Sequence, residues 1–191
     1  MSRSAPLAVG LSVDEFMAYD TPDGKAELVR GELRMSPSPG GSHGIVVTVL
    51  VARLFVHVDA RQLGRVMTNV GFELVQLPRT VRAPDVAFIR ADRLPPGGIG
   101  SGPMRVAPDL AVEVVSPSET PARLREKLDD YRVSGVPLVW LIDPIARGAT
   151  IIEGDLPPRQ IGEHDALSGG VVIPGFRCEI HDLFDGLAWA G

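Results

Sequence analysis

Residues 108–119 read "PDLAVEVVSPSE". Positions 110–115 are apolar and largely β-branched apart from one residue, the composition of a strand buried on both faces. Alternate side chains leave a strand on opposite sides, so Leu110, Val112 and Val114 share one face and Ala111, Glu113 and Val115 the other. Glu113 is therefore a carboxylate among apolar neighbours. Without a partner its ionised form is costly there, so it calls for a cation, a hydrogen-bond donor or water.

A second stretch repeats the pattern. In "APDVAFI", residues 83–89, Asp85, Ala87 and Ile89 share a face, again one acid among apolar residues. Two neighbouring strands with one carboxylate each suit a hard divalent cation, since Mg²⁺ takes one or two protein carboxylates and completes its octahedron with water and phosphate oxygens. The spacing predicts a helix over about 121–134, ended by Gly135, with Leu124, Leu128 and Tyr131 facing the core and Lys127 beside that stripe. From there its ammonium can reach the carboxylates. Simpler readings stay open at this level: a nearby arginine pairs with Glu113, Asp85 starts a turn after Pro84, and Lys127 snorkels at a helix border.

A chain of 191 residues that is 45% hydrophobic can bury one good core, so a single domain spanning 1–191 is expected, with its core at about 11–184. The one cysteine, Cys178, excludes an internal disulfide and paired-cysteine zinc sites, and it fits a reducing compartment; cytoplasm is the expected location. "MSRSAPLAVGLSVDEF" has neither the pattern of a signal peptide nor that of an anchor. The longest apolar run, "GIVVTVLVARLFVHV" (44–58), is short for a bilayer and contains Arg53, so a soluble protein with no membrane partner is expected. A net charge of −5 argues against holding nucleic acid by broad surface charge; a local basic patch or a metal would be needed.

Along the chain, Ser12 and Glu15 make a capping box for a short helix that ends at "TPDGK" (21–25). "ELVRGELRM" (27–35) reads as two strands about a two-residue turn, "SPSPGGSHG" (36–44) as a loop, and 45–58 as a helix. Strands are expected at "RVMTNV" (65–70), "FELVQL" (72–77), "APDVAFI" and "PLVWLID" (137–143), with a proline- and glycine-rich loop running to residue 103. "ATIIEG" (149–154), "GGVVI" (169–173) and "FRCEIHDLF" (176–184) read as further short strands and a closing turn or helix. The mixture predicts a two- or three-layer α/β domain.

Taken together, "ELVRGEL", "SPSPGGSHG", "APDVAFI", "PDLAVEVVSPSE", "REKLDDYRVSGVPLVWLIDP" and "VVIPGF" resemble, in order, the blocks of the Uma2 family, described as "putative restriction endonucleases" within the PD-(D/E)XK nuclease superfamily. The resemblance covers about residues 11–184 and is most specific from Glu113 to Pro144. It implies a restriction-endonuclease-like α/β fold, a central mixed sheet flanked by helices, with Pro84-Asp85 and Glu113 as its two acidic motifs. The superfamily's lysine usually follows the glutamate by two residues, where this chain has Val115. Lys127 matches the family's lysine on the following helix. Glu27 and Glu32 fall in the family's amino-terminal acidic segment, and His43 matches a loop histidine.

The chemistry implied is divalent-metal-dependent hydrolysis of DNA phosphodiesters. Asp85, Glu113 and the backbone carbonyl of Val114 would bind Mg²⁺, with Mn²⁺ as a substitute, and Lys127 would orient or activate the attacking water. A homodimer would let so small a nuclease cut both strands. Two other functions stay in view. One is a non-catalytic interaction module in which Arg82, Arg123 or Lys127 pairs with the strand acids. The other is a serine hydrolase using Ser42, since "GGSHG" (40–44) fits G-x-S-x-G, although "SPSP" rather than an apolar strand precedes it. "GGIGSG" (97–102) lacks the Gly-Lys-Ser/Thr of a phosphate loop, and the four histidines lack zinc-like spacing. Trp140 reads as core, and aromatic residues are too sparse for a base-stacking surface.

Overall fold

Ser12 opens the first helix, α1 (Val13–Met17), with the predicted capping box: its hydroxyl accepts from the Glu15 N–H, and Glu15 accepts from the Ser12 N–H. The computed structural model describes residues 8–19, 25–74 and 76–187, so the turn expected at "TPDGK" lies outside the described residues except for Lys25. Strands β1 (Lys25–Val29) and β2 (Glu32–Ser36) pair antiparallel about Arg30 and Gly31, which both have positive φ, as a tight hairpin turn requires.

Helix α2 (Gly41–Ala60) begins before the predicted span, so "GSHG" (41–44) forms its first turn rather than a loop. Gly40 is the extended N-cap residue, and Pro39 lies ahead of it, where its missing N–H interrupts nothing. At 20 residues this helix is long and apolar enough to cross a membrane by length and composition. Here its stripe of Val46, Leu50, Leu54 and Val58 is buried against the sheet.

Next come β3 (Gly64–Thr68), β4 (Phe72–Glu73), β5 (Val81–Arg82) and β6 (Val86–Arg90). Among the described residues of "FELVQL", Phe72 and Glu73 form the strand, and "APDVAFI" is not one continuous strand: Ala83-Pro84-Asp85 separates β5 from β6, because proline cannot donate to a ladder. Beyond lie β7 (Leu110–Val114), α3 (Pro121–Val133), β8 (Leu138–Asp143), β9 (Gly148–Glu153), β10 (Arg159–Ile161), β11 (Ala166–Ser168) and β12 (Arg177–Glu179). Thr120 caps α3 at its start, and Gly135, with φ of 74°, follows its end as predicted. "GGVVI" is a turn, not a strand. The Val172 and Ile173 N–H groups both donate to the Gly169 carbonyl, which curls the chain and buries the two apolar side chains locally.

The main sheet has the order β10-β9-β8-β7-β6-β3. β7 and β8 run parallel, with α3 as their crossover, and the other neighbours are antiparallel. A smaller sheet has the order β2-β1-β5-β4, and β11 pairs with β12. Val86, Phe88, Val112 and Trp140 pack towards α2 on one face of the main sheet, with Trp140 stacked on Phe176. Ala87, Ile89, Ala111 and Val139 form the other face, under Tyr131 of α3 and Phe72 and Leu74. The result is a three-layer α/β fold whose central mixed sheet is flanked by helices.

Candidate active site

The register of β6 on β7 pairs Val86 with Val112 and Ala87 with Ala111, so one further step sets Asp85 against Glu113. The Asp85 N–H continues the ladder by donating to the Val112 carbonyl at 3.0 Å. Its side chain is held at both oxygens. Oδ2 accepts from the Val114 N–H at 2.8 Å and meets His43 Nε2 at 3.0 Å, while Oδ1 takes the Lys25 ammonium at 2.9 Å. Burial alone would raise the Asp85 carboxyl. The His43 hydrogen bond, the Lys25 charge and the Val114 N–H outweigh it and hold the group well below the usual carboxylate range.

Glu113 is buried on the Ala111 face of β7, as the alternation predicts. Its Oε1 accepts from the Tyr131 hydroxyl at 2.6 Å and its Oε2 from the Lys127 ammonium at 3.1 Å. Burial pushes this carboxyl up, and the nearby Lys127 and Lys25 charges only partly offset it. Tyr131 is raised well above a normal phenol by its own burial and by Glu113.

Lys127 reaches the site from α3, as expected, but not as a border residue. Lys127, Asp130 and Tyr131 are the buried positions of that helix, while Leu124 and Leu128 are half-buried. Carboxylates gathered beneath this turn of α3 explain the inversion: Lys127 Nζ lies 3.1 Å from Glu113, 3.4 Å from Glu119 and 3.9 Å from Glu27. Burial would lower its ammonium, yet these three carboxylates hold it above the ordinary lysine range.

Of the acids in the amino-terminal segment, Glu27 reaches the site and Glu32 does not. Glu27 accepts from the Ala83 N–H at 3.0 Å and from Arg82 at 3.1 Å. Burial raises its carboxyl, but Lys127, Arg82 and Lys25 bring it below normal. Glu32 sits half-buried on the outer strand β2, paired with Arg34 at 3.1 Å and absent from the cleft wall. Arg82 serves neither strand acid: its Nε and Nη2 donate to Asp130 Oδ2 at 2.8 and 2.6 Å, and its Nη1 to Glu27. Ser42 is exposed in the first helical turn of α2, reached from β2 through the loop at 37–40 rather than by a sharp strand-to-helix turn, and the adjacent His43 is turned to Asp85.

The acids open into a cleft of about 410 Å³ walled by Lys25, His43, Asp85, Glu113, Glu119 and Lys127, with Arg123 and the Ser36–Pro39 segment at its edge. Three cationic side chains, Lys25, Arg123 and Lys127, balance three carboxylates in this lining. The carboxylate oxygens suit an oxygen-preferring divalent ion. Of the four oxygens of Asp85 and Glu113, Asp85 Oδ1 is, among the described residues, the one held only by a flexible surface-reaching side chain, Lys25. A separate group, His181, Asp182 and Asp185, has ligand atoms within 4.8 Å of one another, but it lies outside the cleft wall, and Asp182 is engaged by Arg53.

A family model, Uma2, described as "Putative restriction endonuclease", matches residues 13–181. The chain belongs to the Uma2 family. Asp85, Glu113 and Lys127 all lie within the matched span. Among solved structures, "a putative nuclease belonging to DUF820 from Anabaena variabilis ATCC 29413" shares this Uma2 fold with a TM-score of 0.81 at 20% identity, covering 93% of this chain and 99% of that one. No curated protein matches the chain.

Several residues around this cleft escape a reading along the sequence. Lys25 shares a strand face with Glu27, a period-2 signal that could have found it, and Asp130 lies one turn from Lys127. Tyr131 reads as a core residue, and nothing local reveals that its hydroxyl meets Glu113.

Proposed function

We propose that this Uma2 protein hydrolyses phosphodiester bonds in DNA with a divalent cation, Mg²⁺ or its substitute Mn²⁺. The observation that carries the reading is the opposition of Asp85 and Glu113 across β6 and β7, with Lys127 against Glu113 in the same cleft. Asp85, Glu113 and the Val114 carbonyl would hold the ion. When bound, such an ion polarises a phosphate oxygen, lowers the pKa of a water and makes a charge-balanced cleft attractive to a polyanion.

Lys127 then acts as a hydrogen-bond donor. Its ammonium is held in the charged form by Glu113, Glu27 and Glu119, so it orients the attacking water and stabilises negative charge developing on the phosphate; it does not remove a proton. It fills from the helix the role that Val115 cannot play from the strand. His43 and the Val114 N–H fix Asp85, and Tyr131 fixes Glu113. Cutting both strands of a duplex would take two clefts, hence two copies of the chain, which sedimentation with and without duplex DNA would reveal.

Calorimetric titration of Mn²⁺ into wild type and Glu113→Ala tests the reading, because it needs no knowledge of the DNA sequence. Saturable binding to wild type that disappears in the variant is expected, together with Mg²⁺-dependent DNA nicking lost in Asp85→Asn. Absence of binding to wild type would overturn it. A second reading, a non-catalytic module, draws on the pairs Lys25–Asp85 and Lys127–Glu113, in which each acid already has a cation. That reading expects no saturable Mn²⁺ binding.

A further inference from the structure

Lys25 is the first residue of β1, and its ammonium sits 2.9 Å from Asp85 Oδ1, with Glu113 also acting on its charge. The remaining donors to the two acids are fixed in place. The Val114 N–H belongs to the backbone of β7, His43 projects from the first turn of α2, and Tyr131 and Lys127 are buried under α3. Lys25 is half-buried, reaches in from the cleft wall on a flexible stem, and contributes a point charge without shape-specific bonding.

We infer that Lys25 is a built-in counter-ion seated on Asp85 Oδ1, and that a divalent ion must displace it to bind. The inference rests on the metal reading above and adds a residue to it. A Mg²⁺ ion bonds its oxygens at about 2.0–2.1 Å. An ammonium 2.9 Å from the same oxygen would stand only a few ångströms away, two like charges facing each other in a part-buried site. The ammonium keeps two opposed carboxylates compatible while no ion is present, and this lowers the apparent affinity for the ion that replaces it.

Mn²⁺ titration of wild type, Lys25→Met and Lys25→Gln by calorimetry tests this, with circular dichroism to establish folding. Glutamine keeps a donor for Oδ1 without the charge, so it covers the case in which the methionine variant fails to fold. The expected result is Mn²⁺ affinity raised by about tenfold or more in a folded variant, equivalent to about 1.4 kcal/mol. In EDTA the same variant should melt at lower temperature than wild type, and Mn²⁺ should raise its melting temperature further than it raises that of wild type. Wild-type binding with unchanged or weaker affinity in both variants would overturn the counter-ion role and leave the metal reading standing. No Mn²⁺ binding in any of the three proteins would overturn both.

Discussion

The Tyr131 hydroxyl, from α3, donates to Glu113 Oε1, from β7, at 2.6 Å, and both side chains are buried. This bond ties the crossover helix to the strand it follows. Tyr131→Phe keeps the ring and deletes the donor, leaving a buried carboxylate oxygen without that partner. The expected loss is about 1–3 kcal/mol of stability, read from the urea midpoint. A change under about 0.5 kcal/mol would mean that water replaces the hydroxyl, as surface-like sites allow.

Arg82 is the centre of a second buried network, paired with Asp130 at 2.6 Å and Glu27 at 3.1 Å. Arg82→Ala removes the buried cation that Asp130 and Glu27 share, while Asp130 keeps Arg30 at 2.6 Å and Glu27 keeps the Ala83 N–H at 3.0 Å, so a loss of about 3 kcal/mol, the lower end for a broken buried pair, is expected by chemical denaturation. Adding Asp130→Asn to Arg82→Ala should cost less than the two single changes summed, because the partners act as a unit.

Acid sensitivity separates the two strand acids. The Asp85 carboxyl titrates below its ordinary 3.8 when folded, so its contribution is present above that value and is lost as pH falls. Glu113 titrates above its ordinary 4.5 when folded, so its contribution is present at low pH and is lost as pH rises through the folded value. Melting curves from about pH 2 to 6 should therefore show a flatter acid limb in Asp85→Asn and a steeper one in Glu113→Gln. Parallel shifts of both variants would contradict these opposite signs.

Gly64 opens β3 where a Cβ would stand 1.9 Å from the Ile89 carbonyl oxygen. Gly64→Ala must push β3 away from β6, at an expected cost of about 1–3 kcal/mol. Gly44, inside α2, faces open space, so Gly44→Ala should instead stabilise by about 0.5–1 kcal/mol. Equal effects of the two changes on the urea midpoint would contradict the packing at Gly64.

Alternation along "PDLAVEVVSPSE" suffices to turn Glu113 to the Ala111 face, and the adjacent strand supplies Asp85 in the same way. Lys127 follows from helical spacing, as do the start and stop of α3. What periodicity cannot show is which surface lies opposite. Lys25 meets Asp85 across 60 residues and Arg82 meets Asp130 across 48, and such partners are set by how two sheets and a helix come together. Glu32 illustrates the converse: it lies close to Glu27 in sequence, but the hairpin turn places it on the outer strand. Glycine and proline misled in a regular way. Read as loop markers, they hid the first turn of α2, while Pro84, read as part of a strand, was a break.

That break is also the junction of the two sheets. Arg82 ends a strand of the small sheet and Asp85 leads into a strand of the large one, with only Ala83 and Pro84 between them. The cleft straddles this seam, drawing Lys25 and Ser36 from one sheet and Asp85 and Glu113 from the other. Anything gripped by both walls therefore spans the two sheets, and adds one more clamp to those already set by Phe72 and Leu74 packed on the large sheet and by Arg82 paired with Asp130 of α3.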